Sequence, residues 1–363
     1  MDQITSLCLH CNGPLKPGLT RWRCLACPST FRALQGIPDL RTHDDEYLPN
    51  ADDWSVALKL DAAFDTLDFP DLLNLYFDLS PEIDPSSRRK QIIHIRSATG
   101  RTALWLDQLK PLTNGRLLDL GCGSGSFLSA VGPEFPRLAG VDIAMRWLLV
   151  ARKRLDQENL SHIPLLCACA EALPFADKTF TGLVAGDVIE HVGNQRQTLA
   201  EAFRVLQPGA RIFLASPNRF SLAPEPHVHL WGVGFLPRSL MPTYVRLTRG
   251  VDFRAIHTLG FREWRRLLRS SPFQTGTLTV PPLPPSDLAH FGLLKRKAAQ
   301  LYNALVALPL AQPLARAFGP LFHVTAQRPP DPPKPLSKPH SSIPATRPRS
   351  MPSITPRSAV DSQ

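Results

Sequence analysis

The chain has 363 residues, 43% of them apolar, and a formal net charge of +10. That apolar share supports a substantial core and excludes a wholly disordered protein, while the length admits two domains or one large α/β domain with attachments. A modest positive balance is compatible with RNA, an anionic membrane surface or an acidic substrate, and selects none of them.

The first residues, "MDQITSLCLHCNG", carry neither a basic n-region nor an apolar h-region, so no secretory signal is read there and a cytoplasmic location is expected. Seven cysteines in such a chain do not suggest a disulfide framework. Four form two pairs, Cys8-x2-Cys11 and Cys24-x2-Cys27, separated by twelve residues. Each pair presents two thiolates to one side of a turn, and together they complete a tetrahedral S4 shell for Zn2+. Fewer than forty residues cannot build an adequate core alone, so residues 1–40 are expected to be a metal-held ribbon, with "RWRC" and "TFRAL" as strands. Four thiolates leave no open position, which makes the metal structural. A ribbon can also grip nucleic acid; Arg21, Trp22 and Arg23, an aromatic between two cations, would be its contacts.

Residues 41–113 read as a helical linker or lid. The stretch ending in "TALWLDQL" predicts an amphipathic helix with Ile92, Ile93, Ile95, Leu104 and Leu106 on its buried side. Residues 114–328 carry the chemistry. "LLDLGCGSGSFL" is an apolar strand running into Asp119-x-Gly121-x-Gly123-x-Gly125, a loop whose missing side chains let a ligand approach the backbone. The dinucleotide fingerprint wants its third glycine later, where Ser126 stands. A second strand ends in Asp142, placed to accept hydrogen bonds from both hydroxyls of a ribose. Next come "CACAEALPF", a strand ending in "GDVIEHV", and "FRVLQPGARIFLASPNR", a helix, a Pro-Gly turn and a fifth strand.

These ordered motifs, over about Asn114 to Pro217, resemble the class I S-adenosylmethionine-dependent methyltransferases, particularly those related to ubiquinone-biosynthesis methyltransferases. The likeness continues more loosely to "LFHVTAQRP", as a last strand. The first forty residues are similar to small zinc ribbons at the front of some bacterial methyltransferases, where "GIPDL" (Gly36 to Leu40) closes the module. The fold class this implies is a Rossmann-like, seven-stranded methyltransferase sheet with helices on both faces, preceded by the ribbon.

The resemblance also assigns a cofactor, S-adenosyl-L-methionine, and its contacts. Asp119 and the loop Gly121, Gly123 and Gly125 receive the methionine part. Asp142 takes the ribose and Ile143 lies against the adenine, whose edge Ala170 and Glu171 flank. Gly186 and Asp187 line the floor beside the sulfonium. Three positions depart from the pattern: Cys169 stands where an acid often precedes Ala-Glu, Thr181 where Asp often follows Phe, and Ala210 where a second glycine follows Pro-Gly.

Methyl transfer from a sulfonium releases a neutral leaving group, so a base is needed only for an alcohol, phenol or acidic carbon. His191 in "IEHV" and His227 are the candidate catalytic groups. Asn218, Arg219, His229, Trp231 and Arg238, in the long loop after the fifth strand, are assigned to acceptor recognition. The alternation His227-Val228-His229 also suggests a metal pair without an obvious third ligand. The expected acceptor is a small molecule, a lipid-linked intermediate or a glycan precursor. The alternatives are an rRNA or tRNA base, resting on the ribbon and on the arginines of "FREWRRLLR", and a non-catalytic binding role. Those arginines read equally as the solvated face of a helix that packs Phe261, Trp264, Leu267 and Leu268 inward.

"LYNALVALPLAQPLARAFGPLF", Leu301 to Phe322, is interrupted by Pro309, Pro313, Pro320 and Arg316. It is expected to cover a pocket or lie on a membrane rather than span one. Residues 329–363 read as a proline-rich, basic, unstructured tail.

Overall fold

The computed structural model describes residues 4–80, 88, 91–93, 95, 98, 102, 104–110, 115–135, 137–284, 288 and 292–331. The expected tail, from residue 332 on, lies outside them.

The ribbon is a four-stranded antiparallel sheet, β1 (Leu15–Lys16), β2 (Arg21–Cys24), β3 (Thr30–Leu34) and β4 (Ile37–Pro38). In β2 the residues alternate exposed and buried, so Arg21 and Arg23 face solvent while Trp22 and Cys24 face inward. The Trp22 indole donates from Nε1 to the Gly36 carbonyl at 3.0 Å. This ring packs in the core and is not presented for base stacking, which removes the aromatic half of the expected RNA contact.

The large sheet has seven strands in the order β10-β11-β9-β8-β5-β6-β7, the architecture of a Rossmann-like methyltransferase fold. β5 (Leu117–Leu120), β6 (Leu138–Asp142), β7 (Leu165–Cys167), β8 (Phe180–Gly186) and β9 (Leu206–Pro217) run parallel. β5, buried along its whole length, takes the continuous apolar run of a strand covered on both faces. β11 (Leu321–Gln327) is antiparallel to β9, and β10 (Gln274–Thr279) to β11. From β5 the chain moves one way to β6 and β7, then returns to β8 on the opposite side. That reversal opens a crevice at the carboxyl ends of β5 and β8, where open α/β sheets bind ligands.

Helices α1 (Asn50–Ala62) and α2 (Phe69–Asp78) pack on α4 (Met145–Gln157), with Tyr76 and Trp147 ring centroids 4.1 Å apart. α3 (Ser126–Val131) follows β5, and α5 (Gln195–Val205) joins β8 to β9. Much of the expected helix before β5 lies outside the described residues. Ile92, Ile95 and Leu106 pack against the core as expected, whereas Ile93 and Leu104 are exposed. α7 (Phe261–Arg269) buries Trp264, Leu267 and Leu268 and turns its arginines outward. α6 (Met241–Arg249), α8 (Leu293–Val306) and α9 (Gln312–Phe318) complete the described helices. Among the described residues no helix is long and apolar enough to cross a membrane.

Ribbon and sheet share one core. Cys8, Leu15, Trp22 and Leu40 pack in the same cluster as Leu118 and Phe175. Backbone bonds run from Leu7 N to Pro174 O at 2.8 Å and from Leu40 N to Cys167 O at 2.7 Å. The ribbon therefore covers β7, the edge strand, whose open N–H and C=O groups would otherwise invite pairing.

Candidate functional site

The four ribbon thiols converge, with all Sγ atoms within 4.8 Å of one another. Cys8 and Cys27 are 3.8 Å apart and Cys11 and Cys24 3.4 Å. Four sulfurs at ~2.3 Å from a tetrahedral Zn2+ stand about 3.8 Å from each other, so the cluster fits structural zinc. Gly13 N donates to Cys11 Sγ and Ala26 N to Cys24 Sγ, stabilising thiolates in both turns.

Beyond the ribbon an arm, residues 41–48, runs along the carboxyl ends of the strands. Arg41 anchors it: its guanidinium meets Asp39, the fully buried Asp53 at 2.7 Å and the Ile143 carbonyl at 3.2 Å. Asp53 also accepts from the Arg146 guanidinium at 2.7 Å and from Met145 N at 3.0 Å, so α1, α4 and the arm meet on one carboxylate. Both arginine partners are needed, since a buried carboxylate is tolerated only when paired and hydrogen-bonded. Cys169, one of the three departures, takes part in the same arrangement: its sulfur accepts from Thr42 N at 3.4 Å.

Under the arm lies a cavity of about 640 Å³. Gly121, Gly123, Asp142, Ile143, Ala170, Glu171 and Asp187, all assigned to the cofactor, line it, as do His191 and His227. A smaller cavity of about 250 Å³ adjoins it and takes in Asp119 and Gly186. Gly121, at φ 70°, passes so close to Val188 that a Cβ would stand 2.2 Å from its Cγ2. Gly123, at φ 49°, meets no protein atom on its Cβ side, which leaves bare backbone facing the cavity. Gly125 lines neither cavity; it caps the start of α3 and packs against Ala151.

Asp142 accepts from Gly123 N at 2.8 Å and Ala144 N at 2.9 Å through different oxygens. Each oxygen keeps a lone pair for a ribose hydroxyl. Burial raises the Asp142 carboxyl to about 6, against the pull of those two N–H donors. Asp119, almost fully buried and with no hydrogen bond to its carboxyl among the described residues, is raised to about 8 by burial and then by Asp142. Two desolvated carboxyl groups beside bare backbone suit a ligand that carries ribose and positive charge. S-adenosylmethionine, a sulfonium with an amino-acid ammonium, meets both conditions.

Asp119 also makes stability depend on pH. The unfolded chain sheds this proton near pH 4 and the folded chain keeps it to about pH 8, so stability present at low pH falls as pH rises between those values. Asp119→Asn is expected to flatten that slope and to raise the melting temperature of the ligand-free protein at pH 8 by at least about 2–4 °C. Thermal melts of parent and variant at pH 5 and pH 8 check this; a parallel pH dependence in the two proteins would contradict it.

At the far end of the larger cavity, His191 Nε2 and His227 Nε2 are 3.2 Å apart. Tyr47, from the arm, contacts His191 Nδ1 through its hydroxyl, and Glu225 holds His227 Nδ1 at 2.5 Å. Behind them sits Glu190, wholly buried, with neither carboxylate oxygen in hydrogen-bond geometry with a partner among the described residues. Burial, then nearby Asp187, raises its carboxyl to about 8. Burial, then the two neighbouring histidines, drops His191 to about 3, so its ring is neutral and a weak base, with its two nitrogens engaged by Tyr47 and His227. Glu190, His191 and His227 bring ligand atoms within 4.8 Å of one another, a set of two imidazoles and one carboxylate able to hold a divalent cation. His227 thus finds its partners across the fold, and His229, two residues on, is not among them. Asp187, at φ 55°, closes this end in a backbone conformation that few non-glycine residues adopt.

The residues assigned to acceptor recognition do not line the cavity. Asn218 is buried and donates to the Ala317 and Gly319 carbonyls. Arg219 and Arg238 share Glu263, and Arg219 also holds the Gly234 and Leu236 carbonyls. They shape the loop that carries His227. His229, in left-handed backbone, and Trp231 are exposed. Sequence reasoning missed His43, Asp45, Tyr47, Arg146 and Trp147 as cavity residues. Only the acidic and aromatic run "DEYLPNADDW" hinted at Asp45 and Tyr47, and nothing at His43.

Residues 118–214 match the sequence profile of a family described as a methyltransferase domain. The chain is 33% identical over 143 residues to an uncharacterised protein of a Streptomyces fradiae transposon, covering 38% of this chain and 41% of that protein. It is 27% identical to the ubiquinone biosynthesis O-methyltransferase of Paracidovorax citrulli over 42% of this chain and 60% of that enzyme. Among solved structures, phosphoethanolamine N-methyltransferase 2 of Haemonchus contortus in complex with S-adenosyl-L-methionine gives a TM-score of 0.45 at 16% identity, covering 73% of this chain and 60% of that one. The match thus spans about two to three fifths of the length of these curated relatives.

Proposed function

We propose that this chain, whose residues 118–214 match a methyltransferase-domain family, transfers the methyl group of S-adenosylmethionine to a small-molecule or lipid-linked acceptor. One observation carries the reading: a single cavity joins the glycine loop and Asp142 at one end to a histidine pair at the other. Gly121 and Gly123 admit the methionine part, Asp142 takes the ribose, and Asp119 sits beside the cationic portion. The arm from His43 to Leu48 lines one side of the cavity and narrows its opening to water, so a bound ligand would displace much of the solvent there.

The acceptor is placed against His191 and His227, and a hydroxyl there is the favoured nucleophile. His227, whose basicity is raised against the pull of burial by Glu225, takes its proton, while Tyr47 holds the neutral His191 ring in register beside it. Were Glu190, His191 and His227 instead to hold a divalent cation, their lone pairs would go to the metal, which would lower the pKa of that hydroxyl in place of a histidine base. Zinc in the ribbon is structural. Peripheral contact with a membrane belongs to this reading, as relatives named for ubiquinone biosynthesis suggest apolar acceptors. The RNA alternative loses support with the burial of Trp22.

The test is transfer of labelled methyl from S-adenosylmethionine into fractionated cell extract. Label is expected in the lipid and small-molecule fractions, and His227→Ala is expected to lower it by about 100-fold or more while cofactor binding persists. Label confined to RNA at low salt would replace the acceptor class, and no transfer together with no cofactor binding would remove the enzyme.

A further inference from the structure

The insertion between β10 and β11 leaves much of its apolar surface uncovered. In α8 one stripe, Ala299, Tyr302 and Val306, turns toward the protein. A second, Leu294, Ala298, Leu301 and Leu305 at i, i+4, i+7 and i+11, faces away from it. Leu294 is 84% exposed and Leu301 62%. The chain then presents Leu310 at 95% and Leu314 at 65%. Surfaces of this kind mark an interaction site when they are contiguous and rimmed by charge.

Here the rim is basic. Arg316 of α9 lies over the Phe261 ring at 5.9 Å, which brings the insertion against α7. Arg262, Arg265, Arg266 and Arg269 line a hollow on the outward face of α7. Arg265, Arg269 and Arg316 also line a groove of about 500 Å³ between α7 and β10. Among the described residues none of these five arginines has a carboxylate within ion-pair reach. A surface with unneutralised guanidinium groups beside upturned leucines has the composition of an interfacial helix face, and α8, 14 residues and about 21 Å long, is too short to span a bilayer. The patch also reaches the acceptor loop: Phe318 stacks on Phe235 at 6.4 Å, and Phe235 contacts Phe220.

We infer that α8, α9 and the arginine face of α7 form one docking surface for an anionic phospholipid bilayer. The leucines enter the acyl boundary and the arginines meet lipid phosphates. The surface gives the membrane contact of the proposed function an address, and a lipid-linked acceptor would enter from the loop side. Its test reads vesicle binding without cofactor, so it can fail or succeed independently of methyl transfer.

The experiment is cosedimentation of the full chain with phosphatidylglycerol–phosphatidylcholine vesicles and with phosphatidylcholine vesicles alone. Binding is expected to the anionic vesicles and to weaken as salt rises. Leu310→Asp with Leu314→Asp is expected to lower the partition coefficient by about tenfold or more, with an unchanged melting temperature because both side chains are exposed. Arg265→Glu with Arg269→Glu is expected to lower it comparably on anionic vesicles only. Three results would overturn the inference: no vesicle binding by the parent, equal binding by the leucine variant, or a parent dimer in solution that the leucine variant dissolves. RNA binding that the arginine variant abolishes, without vesicle binding, would assign the surface to nucleic acid instead.

Discussion

Asp142→Ala is expected to weaken binding of S-adenosylmethionine by about 100-fold or more while leaving the chain folded. Two hydrogen bonds from ribose hydroxyls to a buried carboxylate are worth about 1.5–3 kcal/mol each, and losing both gives a factor of that size. A second contribution runs the same way. Asp142 also holds Gly123 N and Ala144 N, so its removal frees two backbone donors and loosens the turn that faces the cofactor. Asp142→Asn keeps the shape and one acceptor oxygen, and should fall between parent and Ala. Calorimetric titration with circular dichroism measures both claims. Equal affinity in parent and Ala variant would take this carboxylate out of the site.

Cys24→Ser is expected to release the zinc and to reach well past the ribbon. Structural Zn2+ supplies on the order of 10–16 kcal/mol to such modules, far more than their small cores can replace. Sequence alone suggests that only the first forty residues would loosen. The shared core argues otherwise: Leu40 N bonds to Cys167 O, Thr42 N to Cys169 Sγ, and Arg41 reaches Asp53 and Ile143 O. The arm that lines the cavity is thus strung from the metal module. Loss of metal should expose the edge of β7, lower the melting temperature and weaken cofactor binding by about tenfold or more. Elemental analysis and the same titration decide it. A metal-free variant with parental cofactor affinity would uncouple ribbon from site.

The cavity end lined by the glycine loop and Asp142 was legible because it is local. Asp119, Gly121 and Gly123 sit within five residues, and a strand end supplies Asp142, so chain spacing alone brings them together. The acceptor end was not. Asn218, Arg219 and Arg238 have the chemistry of ligand contacts, yet they are taken up by carbonyls and by Glu263. A polar residue in a long loop satisfies the loop's own backbone before any ligand, and spacing cannot show which role it has.

By itself the sequence determined the elements whose partners lie nearby: two Cys-x2-Cys turns, a strand opening into bare glycine backbone, an acid at the next strand end, and a helix with Trp264 inward and arginines outward. Tertiary structure decided everything assembled across distance. It set Glu190 and His191 against His227 some 36 residues on, brought Tyr47 across 144 residues to His191, and docked the ribbon on β7. The physical reason is that local contacts follow from backbone geometry and residue type, whereas distant ones follow from how buried surfaces fit, which no short stretch of chain encodes.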